Sequence, residues 1–388
     1  MFYKSRQITI GGFDSPSGGH IKAVSVGGGS PVLIQTMWKD RLSLSDLEGD
    51  AARGIVARIE RLARMGCGLL RFAVPSLADA DAVGRLAGMV SMPLAADIHF
   101  DYKIALRCMD FPIAKIRLNP GNIGGREKVQ AVLEKAGEKG IAIRIGVNAG
   151  SLPQDLRTQD LRGRADTAGA LLEAAERELA ILKKINFTNV LVSMKASGIA
   201  DTIKVNRIFA ERNDVPLHVG VTEAGPLLAG TARSGAALIP LLAEGIGDTL
   251  RVSLSDTMEN EVIAAREICG AAAEIAAFSG NAAAARLRRD GVTVVSCPRC
   301  GRYGFDTHGF ISRWLPRLYE AEKRMTVAVM GCEVNGPEEA RHADLGITGT
   351  GNKVLIFRRG SVVRTVSAVD ADEAFAEELE FCLLQMPK

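Results

Sequence analysis

The sequence has few aromatic residues and almost no excess of charge of either sign. Aromatic side chains make up 5% of the 388 residues, and 48 Lys and Arg against 45 Asp and Glu leave a net charge of +3. There is no basic block, and the aromatics do not alternate with cations as they do in proteins that stack nucleic-acid bases. These absences argue against nucleic-acid binding. An anionic substrate would require positive charge that is concentrated locally.

Long apolar segments are also missing. No run approaches the ~20 apolar residues that cross a bilayer, and the N-terminus has no apolar stretch typical of a secretory signal. The seven cysteines therefore do not indicate a secreted disulfide protein. We expect a cytoplasmic protein that does not bind membranes.

Eight short β-forming runs alternate with helical segments between about residue 30 and residue 275. Repeated strand–helix units predict a parallel sheet, and eight in succession predict a closed (β/α)₈ TIM barrel. An open, doubly wound sheet is the alternative, but it fits less well because the glycines at 27–29 precede the first run instead of following it. The runs are residues 33–37, 69–74, 94–99, 115–119, 142–148, 189–195, 217–223 and 249–253.

A second domain is predicted after an Ala-, Gly- and Arg-rich linker at about 271–290. It carries five further β runs (292–295, 326–330, 345–348, 354–358 and 362–366) and two helical segments (311–323 and 371–384). We therefore expect a barrel over residues 1–280 and a small α/β domain over 281–388, a size that can form its own core. The first 20 residues are expected to be a β-rich extension.

Three cysteines lie in two loops of this second domain, each after an apolar β run. Cys297 and Cys300 form a C-x-x-C motif, and Cys332 lies in the other loop. Thiolates at strand ends suit a metal ion or an iron–sulfur cluster, because a rigid sheet fixes their spacing. Three thiolates leave one position of a four-coordinate centre for a weaker ligand, for which Glu338 or Glu339 is nearest. From spacing alone, a structural zinc site remains open.

Polar residues follow the predicted barrel strands, at the end where active sites of this fold lie. Five are cations from five different strands, whereas the same ends supply only Asp97 and Glu223 as carboxylates. Because buried, unpaired cations are costly, we predict a multiply anionic ligand such as a diphosphate. His99 and Glu223 have the chemistry for proton transfer. The set is Arg71, Asp97, His99, Arg117, Asn119, Arg144, Asn148, Ser193, Lys195, Thr222, Glu223, Arg251 and Ser253.

Long motifs occur in both halves of the chain. They include A-D-I-H-F-D-Y, R-L-N-P-G-N-I-G, R-I-G-V-N-A-G-S-L, M-K-A-S, H-V-G-V-T-E-A-G, G-I-G-D-T-L-R-V-S-L, S-C-P-R-C-G-R and M-G-C-E-V-N-G-P-E-E. Together they closely resemble the bacterial 4-hydroxy-3-methylbut-2-enyl diphosphate synthases, which act in the methylerythritol phosphate route to isoprenoids. The resemblance runs from about residue 4 to the last strands.

The resemblance implies an iron–sulfur oxidoreductase. It would open the ring of 2-C-methyl-D-erythritol 2,4-cyclodiphosphate with two electrons and remove a hydroxyl as water. A [4Fe-4S] cluster would deliver the electrons singly, held by Cys297, Cys300, Cys332 and the displaceable Glu339. Flavodoxin or ferredoxin would be the electron donor. The chain would form a homodimer in which the cluster domain of one copy closes the barrel of the other.

Site residues also follow from the resemblance. Glu223 matches a barrel glutamate considered a proton donor. The diphosphate-binding positions match Arg71, Arg117, Arg144, Asn148, Lys195 and Ser253, and Asp97, His99 and Asn119 match as well.

The chain departs from the family at three places. Glu338 replaces a glycine beside the expected ligand Glu339, and Arg233 replaces a lysine. The first strand reads I-Q-T-M-W-K-D where a Ser-Met-Thr pattern is common, so Trp38 and Lys39 are expected to reshape that edge of the mouth.

Two other functions fit parts of the sequence. One is a pterin-binding type of barrel transferase with structural zinc, and the other is an iron–sulfur carrier that is not an enzyme.

Overall fold

Two short antiparallel strand pairs lie at the start of the computed structural model, which describes residues 4–14, 20–156, 166–287, 291–298, 300–332, 340–350 and 353–385. Strand β1 (Ile8–Ile10) pairs with β4 (Val24–Val26), and β2 (Phe13–Asp14) pairs with β3 (His20–Ile21). Their apolar side chains pack against Leu69, Ala95, Ala114, Ala142 and Leu191. Because these five residues lie towards the starts of barrel strands, the predicted β-rich extension covers the N-terminal end of the barrel.

Eight parallel strands follow. They are β5 (Leu33–Met37), β6 (Cys67–Ala73), β7 (Leu94–Asp97), β8 (Lys115–Arg117), β9 (Ala142–Asn148), β10 (Val190–Lys195), β11 (His218–Val219) and β12 (Thr249–Leu250). They pair in the order β10-β9-β8-β7-β6-β5-β12-β11. A bridge between Val192 and Leu217 joins the two ends of this order. The predicted barrel is therefore confirmed, and the open doubly wound sheet is excluded.

Helices cover the outside of the barrel, so its strands are buried on both faces and are almost continuously apolar. All six residues of β10, for example, are buried. The helices are α1 (Gly49–Arg64), α2 (Leu77–Ala87), α3 (Tyr102–Cys108), α4 (Arg126–Glu138), α5 (Thr167–Lys184), α6 (Ile199–Arg212), α7 (Leu227–Ala243) and α8 (Met258–Phe278). No described helix is both long enough and apolar enough to cross a membrane.

Four barrel strands end at least two residues earlier than predicted. β7 and β8 stop two residues early, at Asp97 and Arg117, while β11 and β12 stop at Val219 and Leu250. Beyond these points, loop residues still bond to the neighbouring strand. Asn119, for example, accepts the backbone N–H of Gly146 with its side-chain Oδ1 at 2.8 Å. Several predicted site residues therefore lie on loops just beyond the strands.

The chain divides into two units, Met1–Arg288 and Arg289–Lys388. The short 3₁₀ helix Ala282–Arg286 belongs to the barrel unit. Its last residue, Arg286, donates to the carbonyl oxygens of Ser30 and Gly245 and forms an ion pair with buried Asp248. These bonds hold the end of the barrel unit against the start of β5.

The second unit contains one five-stranded sheet. Strands β13 (Val292–Ser296), β14 (Met325–Val329) and β15 (Leu345–Thr350) are parallel, and β16 (Lys353–Arg358) and β17 (Ser361–Ser367) continue the sheet antiparallel. Helices α9 (Thr307–Glu320) and α10 (Ala371–Gln385) supply the aromatic core residues Phe310, Trp314 and Phe375. This is the small α/β domain that the sequence predicts.

Candidate functional site

The predicted cations meet at the C-terminal mouth of the barrel. Asp97, Arg117 and Arg144 lie level with one another on β7, β8 and β9, since Asp97 pairs with Arg117 and Arg117 pairs with Arg144. Each position places its side chain on the inner side of its strand, where all three are buried. Lys195 is the last residue of β10, and Arg251 directly follows β12.

Asp97 is the carboxylate at the centre of this group. Its Oδ1 accepts from Arg117 Nη1 at 3.3 Å, its Oδ2 lies 3.6 Å from Arg71 Nε, and His99 Nδ1 lies 3.8 Å from its Oδ1. Burial opposes ionisation, but the guanidinium groups of Arg71 and Arg117 outweigh it and hold the pKa of Asp97 below its ordinary value. The single negative charge of Asp97 is therefore shared by two arginines, and the three side chains together carry a net positive charge.

Three further cations have no carboxylate within 4.0 Å in the described part of the chain: Lys115, Arg144 and Lys195. Arg144 donates only to Ser193 Oγ, at 2.5 Å, and its buried Nε has no partner there. Burial first, and the neighbouring cations second, lower the pKa of both Arg144 and Lys195. A bound anion would relieve this cost, so the arrangement favours a multiply anionic ligand.

Gly146 on β9 allows Arg117 to lie flat against the backbone. Arg117 Nη2 donates to the carbonyl oxygen of Gly146 at 2.7 Å. A Cβ at position 146 would lie 2.4 Å from Arg117 Nε, so any side chain there would displace the guanidinium. With Asn119 bonded to the N–H of the same glycine, the loop after β8 is fixed to β9.

The other predicted residues lie farther out. Asn148, Thr222 and Ser253 are partly exposed, and His99 keeps 56% of its side chain exposed. Glu223 is exposed and has a φ of 51°, and the next carbonyl, of Ala224, accepts from Arg233 Nη1 at 2.9 Å. The structure therefore brings Asp97 and the cations together, and Glu223 lies outside their ion pairs.

The sequence analysis missed two buried residues of the barrel interior. Lys115 is fully buried and donates to Gln35 Oε1 at 2.7 Å. His218 is also fully buried, with its Nδ1 2.7 Å from Thr249 Oγ1. Lys115 could have been found, because it stands two residues before Arg117 and therefore faces the same side of β8.

Glu261 was missed as well. This glutamate of α8 is 1% exposed and forms a bidentate ion pair with Arg251, at 3.2 Å to Nε and 3.0 Å to Nη2. In the sequence it resembles an ordinary carboxylate in the first turn of a helix. No local signal distinguishes it.

The three cysteines predicted as ligands lie at the C-terminal ends of neighbouring strands in the second unit. Cys297 and Cys332 follow the parallel neighbours β13 and β14, and Cys300 is exposed in the first loop. Hydrogen bonds from the backbone N–H and the side chain of Arg302 lower the pKa of the Cys300 thiol. Among the described residues, His, Cys, Asp and Glu form no group of three or more that could hold a metal ion. Glu338 and Glu339 lie outside the described residues.

The surroundings of Cys297 fit a cluster ligand. Gly331 donates its backbone N–H to Cys297 Sγ at 3.0 Å, and such bonds to sulfur tune iron–sulfur clusters. A side chain at position 331 would lie 3.2 Å from that sulfur, so the glycine leaves space beside it. The Cys332 carbonyl accepts from Thr348 Oγ1 at 2.8 Å, which fixes Cys332 to β15.

Solved structures similar to this chain are barrel enzymes of low sequence identity. A dihydropteroate synthase from Coxiella burnetii, in complex with pteroic acid, is 11% identical with a TM-score of 0.46, covering 70% of this chain and 98% of that chain. A type I 3-dehydroquinate dehydratase from Clostridium difficile is 10% identical with a TM-score of 0.45, covering 71% and 99%. At these TM-scores the likeness carries no argument about function.

Proteins that match this chain in sequence are far more similar to it than these solved structures. The chain is 48% identical to the 4-hydroxy-3-methylbut-2-en-1-yl diphosphate synthase (flavodoxin) of Treponema pallidum, over 97% of this chain and 92% of the relative. The synthase of the same name from Geobacter sulfurreducens is 40% identical over 99% of both. Residues 18–266 match the GcpE TIM-barrel domain, and residues 293–381 match the GcpE protein C-terminal domain. The chain therefore belongs to the GcpE family.

Proposed function

We propose that this chain converts 2-C-methyl-D-erythritol 2,4-cyclodiphosphate into (E)-4-hydroxy-3-methylbut-2-enyl diphosphate, the product for which its relatives are named. The reaction consumes two electrons and one proton, opens the ring at a carbon–oxygen bond and releases a hydroxyl as water. Family membership does not favour either alternative, the pterin-binding transferase or the iron–sulfur carrier.

The observation that carries this proposal is the unbalanced charge of the mouth. Arg144 and Lys195 are buried without a carboxylate within 4.0 Å among the described residues, and Arg71 and Arg117 share the single charge of Asp97. A diphosphate supplies the missing negative charge and can accept paired hydrogen bonds from arginine. We assign substrate binding to Arg71, Asp97, Arg117, Asn119, Arg144, Asn148, Lys195, Thr222, Arg251 and Ser253.

Proton transfer is assigned to exposed groups beside this charge. His99 and Glu223 lie after β7 and β11 and remain accessible to a ligand at the mouth. His99 Nδ1 lies 3.8 Å from Asp97 Oδ1, so the imidazole is close to the carboxylate charge but not hydrogen-bonded to it. The carboxylic acid of Glu223 or the imidazolium of His99 could deliver the proton that the leaving hydroxyl requires.

A [4Fe-4S] cluster is proposed as the redox group of the second unit. When bound, it would supply the two electrons one at a time. Cys297, Cys300 and Cys332 would hold three irons, and Glu339 would hold the fourth as a displaceable, catalytic ligand. The N–H of Gly331 supports the Cys297 sulfur, and Thr348 fixes Cys332 to β15. The free state of all seven cysteines agrees with a reducing, cytoplasmic location.

Flavodoxin, which appears in the names of the relatives, is the proposed electron donor, with ferredoxin as the alternative. The working form is proposed to be a homodimer, as the resemblance of the motifs implies.

Anaerobic turnover tests the proposal. The protein would be reconstituted with iron and sulfide and supplied with a chemical reductant and the cyclodiphosphate, and phosphorus NMR would follow the linear diphosphate. We expect conversion by the wild type and none by Cys332→Ser, which should also lose the brown cluster absorption. A colourless protein after reconstitution, or an intact cluster without conversion, would contradict the proposal.

A further inference from the structure

Glu261 links three elements beside the mouth of the barrel. This buried carboxylate of α8 accepts from Thr36 Oγ1 of β5 at 2.6 Å and from the Leu254 N–H at 3.0 Å. It also accepts from Arg251, which follows β12, and from Lys39, which follows β5. One negative charge therefore joins residues on both sides of the seam, which is the junction between the first barrel strand, β5, and the last, β12.

Arg251 is oriented by this carboxylate. Its Nε and Nη2 are both directed at Glu261, so Nη1 is the nitrogen that this ion pair leaves unused. The pair by itself carries no net charge, because one carboxylate neutralises one guanidinium. An arginine neutralised in this way attracts a diphosphate less strongly than a free one.

Lys39 supplies the missing charge. Its Nζ lies 2.6 Å from Glu261 Oε1, the same oxygen that Arg251 Nη2 approaches, and it donates to the Leu254 carbonyl at 3.0 Å. Two cations therefore share one carboxylate, and the trio carries a net charge of about +1.

The residue before Lys39 is packed into the protein interior. Trp38 is 8% exposed and stacks on Phe72 with ring centroids 5.5 Å apart. Arg58 lies over the Trp38 ring and forms a bidentate pair with Glu259, at 3.1 and 3.2 Å. The family departure at 38–39 therefore places its tryptophan in the packing and its lysine on Glu261.

We propose that Lys39 is a positioning residue for substrate binding, which shares the carboxylate of Glu261 so that Arg251 stays oriented while its charge remains available to the diphosphate. This inference rests on the proposed function, because it takes the mouth as the diphosphate site. Lys39 itself does not have to touch the substrate. Its effect acts through Arg251.

The test compares Lys39→Met with Arg58→Met. Both variants remove a cation that pairs with the first turn of α8, but only Lys39 shares its carboxylate with Arg251. For Lys39→Met we expect KM, and the Kd of the cyclodiphosphate by calorimetry on the cluster-loaded protein, to rise about tenfold, the effect of one charge several ångströms away at an intermediate dielectric. We expect kcat to stay within about twofold. Lys39→Arg should restore the wild-type KM, and Arg58→Met should leave it unchanged.

Three outcomes would overturn the inference. They are an unchanged KM in Lys39→Met, an equal rise in Arg58→Met, and a fall in kcat with no change in KM. Arg251→Met separates this failure from failure of the proposed site. If Arg251→Met loses binding while Lys39→Met does not, the mouth binds the diphosphate and only the role of Lys39 is wrong. If neither variant changes binding, the mouth is not the diphosphate site. Thermal unfolding of each variant identifies any loss of folding.

Discussion

Lys195 shows, at the scale of a single residue, what the barrel mouth costs in stability. It is 6% exposed, no carboxylate of the described chain lies within 4.0 Å of it, and a Cβ at Gly220 would lie 2.8 Å from its Nζ. Burial therefore removes most of the hydration of this lysine side chain. The buried charge is expected to lower the stability of the empty protein and to favour binding of an anionic substrate.

Replacing Lys195 by methionine should stabilise the empty protein and impair the enzyme. Methionine keeps most of the volume and removes the buried charge, so we expect the free energy of unfolding to rise by about 1–3 kcal/mol in phosphate-free buffer. We also expect kcat/KM to fall by about 100-fold or more, because the diphosphate loses a buried partner. Urea unfolding and steady-state kinetics measure the two effects. Lower stability of the methionine variant would show that the amine has a stabilising partner.

His218 provides a pH test of the same interior. Burial first, then Lys195, Arg144, Lys115 and Arg71, lower the pKa of this imidazole well below its ordinary value. It is therefore neutral when folded and gains a proton on unfolding below pH ~6.5. Stability that is fully present above that pH should be lost as the pH falls, by up to about 1.4 kcal/mol per pH unit.

His218→Gln should remove this part of the acid sensitivity. The chain has two tryptophans, and in a Trp314→Phe background Trp38 reports on the barrel alone. We expect the stability of this background protein to fall more steeply between pH 6.5 and 5.5 than that of the His218→Gln variant. Parallel pH profiles would mean that the folded barrel already holds the imidazole protonated.

At the scale of elements, the sequence predicted which strands exist but extended several of them too far. Ile98, Leu118, Val221 and Val252 lie beyond the ends of β7, β8, β11 and β12, yet each is at most 1% exposed. The pattern of apolar residues reports burial, and burial continues past the last residue of the regular strand. Pattern alone therefore cannot separate the end of a strand from a loop that still lines the barrel.

Residues of the candidate site could be predicted where their position depends on local sequence, and could not where it depends on contacts between distant parts of the chain. Arg71, Arg117 and Arg144 could be placed at the barrel mouth from the sequence, because position relative to a strand is a local property. The pairing of Lys39 with Glu261 joins residues 222 apart in the chain, and only closure of the barrel between β5 and β12 brings them together. Contacts across that seam have no local signal.

At the scale of the whole molecule, the open question is which chains supply the two units of one active enzyme. The chain divides into a barrel unit and a unit that carries Cys297, Cys300 and Cys332. The resemblance of the motifs implies that the barrel of one copy works with the cluster unit of its partner. A symmetric dimer would then contain two equivalent sites.

Mixing two inactive variants tests this arrangement. Lys195→Met impairs the barrel and Cys332→Ser removes the cluster, so neither homodimer should turn over the substrate efficiently. In a mixed dimer that works across chains, the intact barrel of the Cys332→Ser copy meets the intact cluster unit of the Lys195→Met copy, and one of the two sites is whole. Random mixing yields mixed dimers as half of the total, so we expect about a quarter of wild-type activity after co-expression. If each chain worked alone, every copy would carry one defect, and co-expression would recover no activity above that of the two variants measured separately.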